Sequence, residues 1–224
     1  TEKIKQISPL LNEYDIVLVQ EDFAYHSELA QEAEHPYQEP ITISELEKSS
    51  KEQQRIEIKN GLSSFSYFIT GKYFSRRWNA CNGFFDASSD CLAPKGFSVA
   101  EYEIISGVKI DIYNCHMDAG DSTGDILARK KQIYQLTEFI SRRSQYKAVI
   151  VACDTNLDQD DQNDLELLLA ASELMDSCQT LNCPEPYLID RIFYRSSLFI
   201  QIEPLRWYIP NGFVNEKGEA LSDH

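Results

Sequence analysis

Five segments of the chain set acids, amides or imidazoles against apolar runs: Gln20-Glu21 after "DIVLV", Asn114-Cys115-His116 after "KIDIY", Asp154-Thr155-Asn156 after "YKAVIVAC", Asp190-Arg191 inside "LIDRIFYR", and the closing Ser222-Asp223-His224. Apolar strands that deliver polar groups at their ends are how a rigid scaffold assembles a reaction site. Taken singly, each has a bland reading. An Asp after a strand commonly forms a turn, a His in apolar surroundings is commonly a satisfied core residue, and a terminal His commonly frays. Taken together they offer carboxylates and two imidazoles, and imidazole is the side chain whose ordinary pKa suits it to move protons near pH 7. His224 then reads as a base whose partners lie far upstream.

The elements that must position these groups follow from periodicity. "IKQISPLLNEY" has apolar residues at helical spacing, and "DIVLVQE" (15–21) reads as a buried strand. Residues 25–60 are polar and Glu-rich, a loop with one short helix at 44–54. "FSYFIT" (65–70) is a strand, followed by an aromatic, cysteine-containing excursion to residue 98. "YEII" (102–105) and "KIDIYNCH" (109–116) alternate as a hairpin about Ser106-Gly107. An amphipathic helix spans 125–143, a buried strand 146–154 and a second helix 164–175. "LIDRIFYR" (188–195) and "LFIQIEPLRWY" (198–208) form a last hairpin. This order lacks the regular alternation of a doubly wound sheet. It implies an α+β, four-layer α/β sandwich: two mainly antiparallel sheets packed face to face, with helices outside.

The 224 residues, 42% of them hydrophobic, suffice for one sizeable core. No apolar run approaches the roughly eighteen residues of a membrane span. A net charge of -15 opposes broad binding to nucleic acid. The window "GKYFSRRW" (71–78) does gather Lys72, Arg76 and Arg77 without an acid, as solvated loops commonly do. Among the six cysteines, Cys81 and Cys91 bracket a polar loop and Cys178 and Cys183 flank "QTLN", and both pairs read as loop disulfides. Cys115 and Cys153 end apolar runs and read as buried small hydrophobes. No short-spaced Cys/His pairs offer a zinc site. This usage suits a secreted or periplasmic protein, with a reduced cytoplasmic chain as the alternative.

In their order and spacing, "DIVLVQE", "NCHMDAG", "CDTN", "IDRIFYRS" and "SDH" resemble the endonuclease/exonuclease/phosphatase superfamily. These metal-dependent phosphoesterases include DNase I-like nucleases, inositol-phosphate phosphatases and neutral sphingomyelinases. "DCLAPKGF" (90–97) and "HMDAGDSTGDILARKKQIYQL" (116–136) are most similar to the sphingomyelinase-type branch. Cys153 stands where the family usually has Gly. The family also opens with a strand ending in a functional Asn and closes with a strand after its Ser-Asp-His. The resemblance therefore implies a single domain over residues 1–224 that lacks the first and last strands.

What the resemblance implies chemically is hydrolysis of a phosphodiester by in-line attack of water, with Mg²⁺ or another divalent cation such as Mn²⁺. Glu21 would ligate the metal, with Asp223 assisting. His224 would be the general base, its tautomer fixed by Asp190, while Asp154 orients the water. Asn156 and His116 would donate to phosphoryl oxygens, and Asn114 would support the substrate site. Arg191 would touch phosphate or form a surface ion pair. Trp78 belongs to an aromatic stretch (Phe65, Tyr67, Phe68, Tyr73, Phe74, Phe84, Phe85) that could meet a choline headgroup or a bilayer interface, although strand and core roles suit Phe65, Tyr67 and Phe68. The implied substrate is a choline phospholipid, with peripheral membrane contact and no obligate protein partner. A nuclease using Lys72, Arg76 and Arg77 is the alternative, and an inactive binding module of the same fold a third.

Overall fold

The computed structural model describes residues 2–39, 60–83 and 90–224. The helix predicted at 44–54 and the aromatics Phe84 and Phe85 lie outside the described residues. A smaller antiparallel sheet has the order β1-β3-β2, from β1 (Ile16–Val19), β2 (Tyr37–Glu39) and β3 (Ser63–Ser66). The larger sheet comprises β4 (Ile69–Thr70), β5 (Phe74–Arg77), β6 (Gly96–Ile105), β7 (Val108–His116), β8 (Val149–Asp154), β9 (Met175–Asp176) and β10 (Asp190–Arg195). Its order is β4-β6-β7-β8-β10-β9, with β5 also paired to β6. Every pairing is antiparallel except β7 with β8. A parallel pair needs a crossover, and α3 (Thr123–Arg143) supplies it. That helix starts at a capping box, with Ser122 and Asp125 each bonding the other's backbone N–H.

Strand alternation sorts the side chains into layers. On β7 and β8, Tyr113, Cys115, Val151 and Cys153 face α3 and α4 (Gln162–Ser172), packing on Ile133, Leu136, Leu165 and Leu168. The opposite face, with Ile110 and Ile112, packs against Ile16 and Leu18 of the smaller sheet. Leu11, Leu29 and Phe65 join that sheet's other face to α1 (Glu2–Ile7) and α2 (His26–Leu29). The result is the expected sandwich with helices outside.

Several elements differ from expectation. Pro9 ends α1, and the predicted first helix continues as a 3-10 turn over Ser8–Glu13. β1 is half-buried rather than buried, because it is an edge strand within the described sheet. "FSYFIT" is two strands, one in each sheet, so the chain crosses between layers at Tyr67-Phe68. The helix predicted to Met175 stops at Ser172, where Glu173 turns left-handed (φ 54°). Residues 198–208 form no strand: Ser196 and Ser197 hydroxyls close a turn instead, and Ile200 and Ile202 tuck under the inter-sheet core. Cys81–Cys91 and Cys178–Cys183 are disulfides as expected, whereas Cys115 and Cys153, expected as separate buried small hydrophobes, form a third. Those last two residues are direct partners in the parallel register, Cα atoms 4.5 Å apart, which linear spacing did not reveal.

Candidate active site

The parallel run of β7 and β8 brings their last residues, His116 and Asp154, into register, and antiparallel β10 begins there with Asp190 opposite Asp154. Strand alternation sets these side chains on the inter-sheet face. Glu21 arrives from the facing sheet, two residues beyond β1, in the left-handed region (φ 63°). Its neighbour Asp22 donates its backbone N–H to the carbonyl of Gly61, where a Cβ would meet the Phe23 ring at 2.6 Å. Glycine is therefore required there to seat the turn that aims Glu21. The chain's last residues return along the same cleft, of about 390 Å³, which Glu21, Asp154, Asp190, Asp223 and His224 line.

Within this cluster His224 Nδ1 lies 2.8 Å from Asp190 Oδ2. His116 Nε2 lies 3.3 Å from Asp154 Oδ2 and 4.0 Å from Glu21 Oε1. One ligand atom each from Asp154, Asp190 and His224 fall within 4.8 Å of one another, the only such group among the described residues. Burial, with the positive charges of Lys95 and His224, pushes His116 down to about 3, so this imidazole is neutral at pH 7. Burial and the nearby Asp190 carboxylate push Asp154 up to about 6. Burial alone would lower His224, but the hydrogen bond and charge of Asp190 carry it above its ordinary value. The donor set is hard oxygen plus imidazole with a surplus of carboxylates, which fits a divalent cation.

No protein-family model matches the chain. A sphingomyelinase of Mycobacterium tuberculosis (strain ATCC 25618 / H37Rv) is 30% identical to it over 239 residues, 98% of this chain and 46% of the relative. The chain thus spans about half the length of the curated relatives it matches. Among solved structures, a Staphylococcus aureus beta toxin mutant with bound magnesium ions superposes with a TM-score of 0.62 at 17% identity, covering 85% of this chain and 76% of that one. TDP2 of D. rerio, complexed with single-strand DNA product, superposes with a TM-score of 0.69 at 17% identity, covering 100% and 88%. The chain is similar in sequence to sphingomyelinases over almost its whole length and shares the fold of beta toxin and TDP2. Its likeness is to the sphingomyelinase-type branch.

Not every residue assigned to the superfamily site from sequence faces it. Glu21, His116, Asp154, Asp190, Asp223 and His224 converge. Arg191 does not: one step along β10 from Asp190, it points to the helix side, 4% exposed, and donates to Asp176 Oδ2 (2.8 Å) and the Pro186 carbonyl. Trp78 packs on Phe97 and donates its indole N–H to the His116 carbonyl (2.6 Å), so it holds His116 from behind. Asn114 is nearly buried and donates to the Val19 and Ser63 carbonyls while accepting from Gln20, tying the two sheets together beneath the site. Asn156, left-handed at φ 49°, commits one amide hydrogen to the Met117 carbonyl. Lys95 had no assigned role. It is buried, paired with Asp90 and donating to the Met117 carbonyl, and its charge reaches both His116 and Asp154. A lone Lys between Pro94 and Gly96 carries no periodic signal that would have exposed it.

Proposed function

We propose that the protein is a divalent-metal-dependent phosphodiesterase of the sphingomyelinase type, releasing phosphocholine from a choline phospholipid. The observation that carries this is the Asp190–His224 pair at 2.8 Å beside Asp154, in a chain alignable over almost its whole length with sphingomyelinases. His224 Nδ1–H donates to Asp190, which leaves Nε2 to accept a proton from the attacking water. Asp154 accepts from that water and aims it. The water oxygen forms a bond to phosphorus as the bond to the lipid oxygen breaks, and the leaving oxygen takes up a proton. Neutral His116 donates Nε2–H to a phosphoryl oxygen, and the remaining Asn156 amide hydrogen is available for the same task. Glu21, with Asp223 alongside, would hold Mg²⁺ or Mn²⁺. The ion, when bound, offsets the charge of the phosphoryl and leaving oxygens.

Membrane contact at this site would fall to Tyr25 and Tyr187, 43% and 56% exposed, in the loops that follow Glu21 and precede Asp190. The stretch from Phe65 to Trp78 is less suited: Phe65 is fully buried and Phe74 stacks on Phe139 beneath Arg76. Three disulfides support an oxidising compartment, secreted or periplasmic. The nuclease reading has the DNA-bound structural relative in its favour. Net charge of -15 and an Arg76 engaged by two aromatic rings weigh against it. The discriminating experiment follows phosphocholine release from sphingomyelin vesicles, and nicking of supercoiled DNA, each with Mg²⁺ and with EDTA. Metal-dependent phosphocholine release without nicking is expected. Nicking without phosphocholine would move the protein to the nucleases.

A further inference from the structure

The Cys115–Cys153 bond stands one residue before the site on both strands that it joins. Beyond it the pairing of β7 with β8 runs out, although β8 stays tied on its β10 side by the Thr155 N–H to the Ile189 carbonyl (2.9 Å). The β7–β8 ladder ends at His116 opposite Asp154, β6 offers no partner beyond Cys115, and one backbone bond follows, from Met117 N–H to the Asp154 carbonyl (2.9 Å). The sulfurs face α3 and α4 among Leu136, Leu157 and Leu165, while His116 and Asp154 occupy the opposite face. The bond therefore reaches the site through backbone, without touching it. Two small apolar residues would fill the same space, so packing does not call for sulfur, and the covalent link is what the pair adds. The other two disulfides close loops of 10 and 5 residues, whereas this one spans 38 and fastens separate strands.

We propose that Cys115 and Cys153 are positioning residues for the reaction: their bond fixes the separation of His116 from Asp154 where the β7–β8 ladder ends. Both cysteines are shielded from solvent, 0% and 3% exposed, so the link is a permanent brace. The proposal rests on the reading of His116 and Asp154 as reaction residues, and its test separates the two.

Three forms are compared in Mg²⁺ well below their melting temperatures: wild type, Cys115→Ala/Cys153→Ala, and Cys81→Ala/Cys91→Ala as a control for losing any disulfide. The readouts are kcat and KM on a soluble phosphodiester, bis-p-nitrophenyl phosphate, and amide hydrogen exchange at Met117. Loss of alignment at a reaction site costs far more than loss of contact, so kcat should fall about tenfold or more in the first variant with KM nearly unchanged. Met117 exchange should accelerate by a similar factor there, and the control should change neither. Equal losses of melting temperature with kcat and Met117 exchange unchanged would overturn the proposal. If the wild type is inactive both on the probe and on sphingomyelin vesicles, the functional reading falls and the positioning role with it, whereas an active wild type whose Met117 exchange is unchanged in the alanine pair overturns this proposal alone. If the alanine pair does not fold, Cys115→Val/Cys153→Ala restores the volume, and failure of both to fold would make the bond a requirement of folding and overturn the proposal too.

Discussion

The larger sheet carries buried charge at both ends of the same strands, and the two ends are built on opposite rules. At the end where β8 begins, Asp111 is fully buried yet accepts from Ser144 Oγ at 2.6 Å and Lys147 Nζ at 2.8 Å. Lys147 also meets Glu101, which meets Lys109 in turn. Each partner eases the other's ionisation: hydrogen bonds from Lys147 and Lys109 lower Glu101, while bonds to Asp111 and Glu101 raise Lys147 against the effect of burial. At the other end Glu21, Asp154, Asp190 and Asp223 gather around two imidazoles. There burial opposes ionisation of His116, down to about 3, and of Asp154, up to about 6, while Asp190 favours it at the more exposed His224. A staple satisfies its charges internally, while a site leaves them for a ligand.

The largest expected effect separates the two ends by function. His224→Ala should lower kcat by about a thousandfold, the scale of a lost general base, with the melting temperature nearly unmoved. Asp111→Ala should do the reverse, losing about 3 kcal/mol in urea unfolding with kcat per folded molecule unchanged. If His224→Ala were the destabilised variant and Asp111→Ala the inactive one, the assignment of the ends would be inverted.

Smaller, and opposite in sign, are two pH effects in the metal-free protein. With a folded pKa near 3 against an ordinary 6.5, neutral His116 contributes stability present above pH 6.5 and lost as pH falls toward 3. Asp154, held near 6 rather than 3.8, contributes stability present below pH 3.8 and lost as pH rises through 6. Relative to wild type, His116→Asn should therefore gain about 1.4 kcal/mol for each pH unit of acidification between pH 6 and 4, and Asp154→Asn should lose as much. Thermal unfolding across that range reads both, and parallel slopes would refute the opposed burial of the pair. The smallest effect is expected of Trp78→Phe, which removes the donor to the His116 carbonyl and should cost about 1 kcal/mol of stability and a few-fold in kcat.

The sequence made the strand ends legible because alternation and a polar terminal residue are local features. Singling out Glu21, His116, Asp154 and Asp190 needed only that, while His224 stood out as a terminal imidazole and took its partner Asp190 from the resemblance. Arg191 was expected at a phosphate or in a surface ion pair; its buried partner Asp176 lies on another strand, and nothing local announces the pair. The Cys115–Cys153 register depends on a crossover helix of 21 residues, so the thiols looked independent. The strand expected at 198–208 failed for a related reason: a β pattern forms a strand only beside a partner edge, and there two serine hydroxyls close a turn.

The central claim is that the acid surplus at the strand ends exists to be neutralised by a divalent cation. Calorimetric titration of Mg²⁺ and Mn²⁺ into wild type, Glu21→Gln and Asp111→Asn tests it without reference to any substrate. The expected result is saturable binding to wild type, unchanged in Asp111→Asn and weakened about tenfold or more in Glu21→Gln. Binding of equal strength in all three, or none to wild type, would contradict the account.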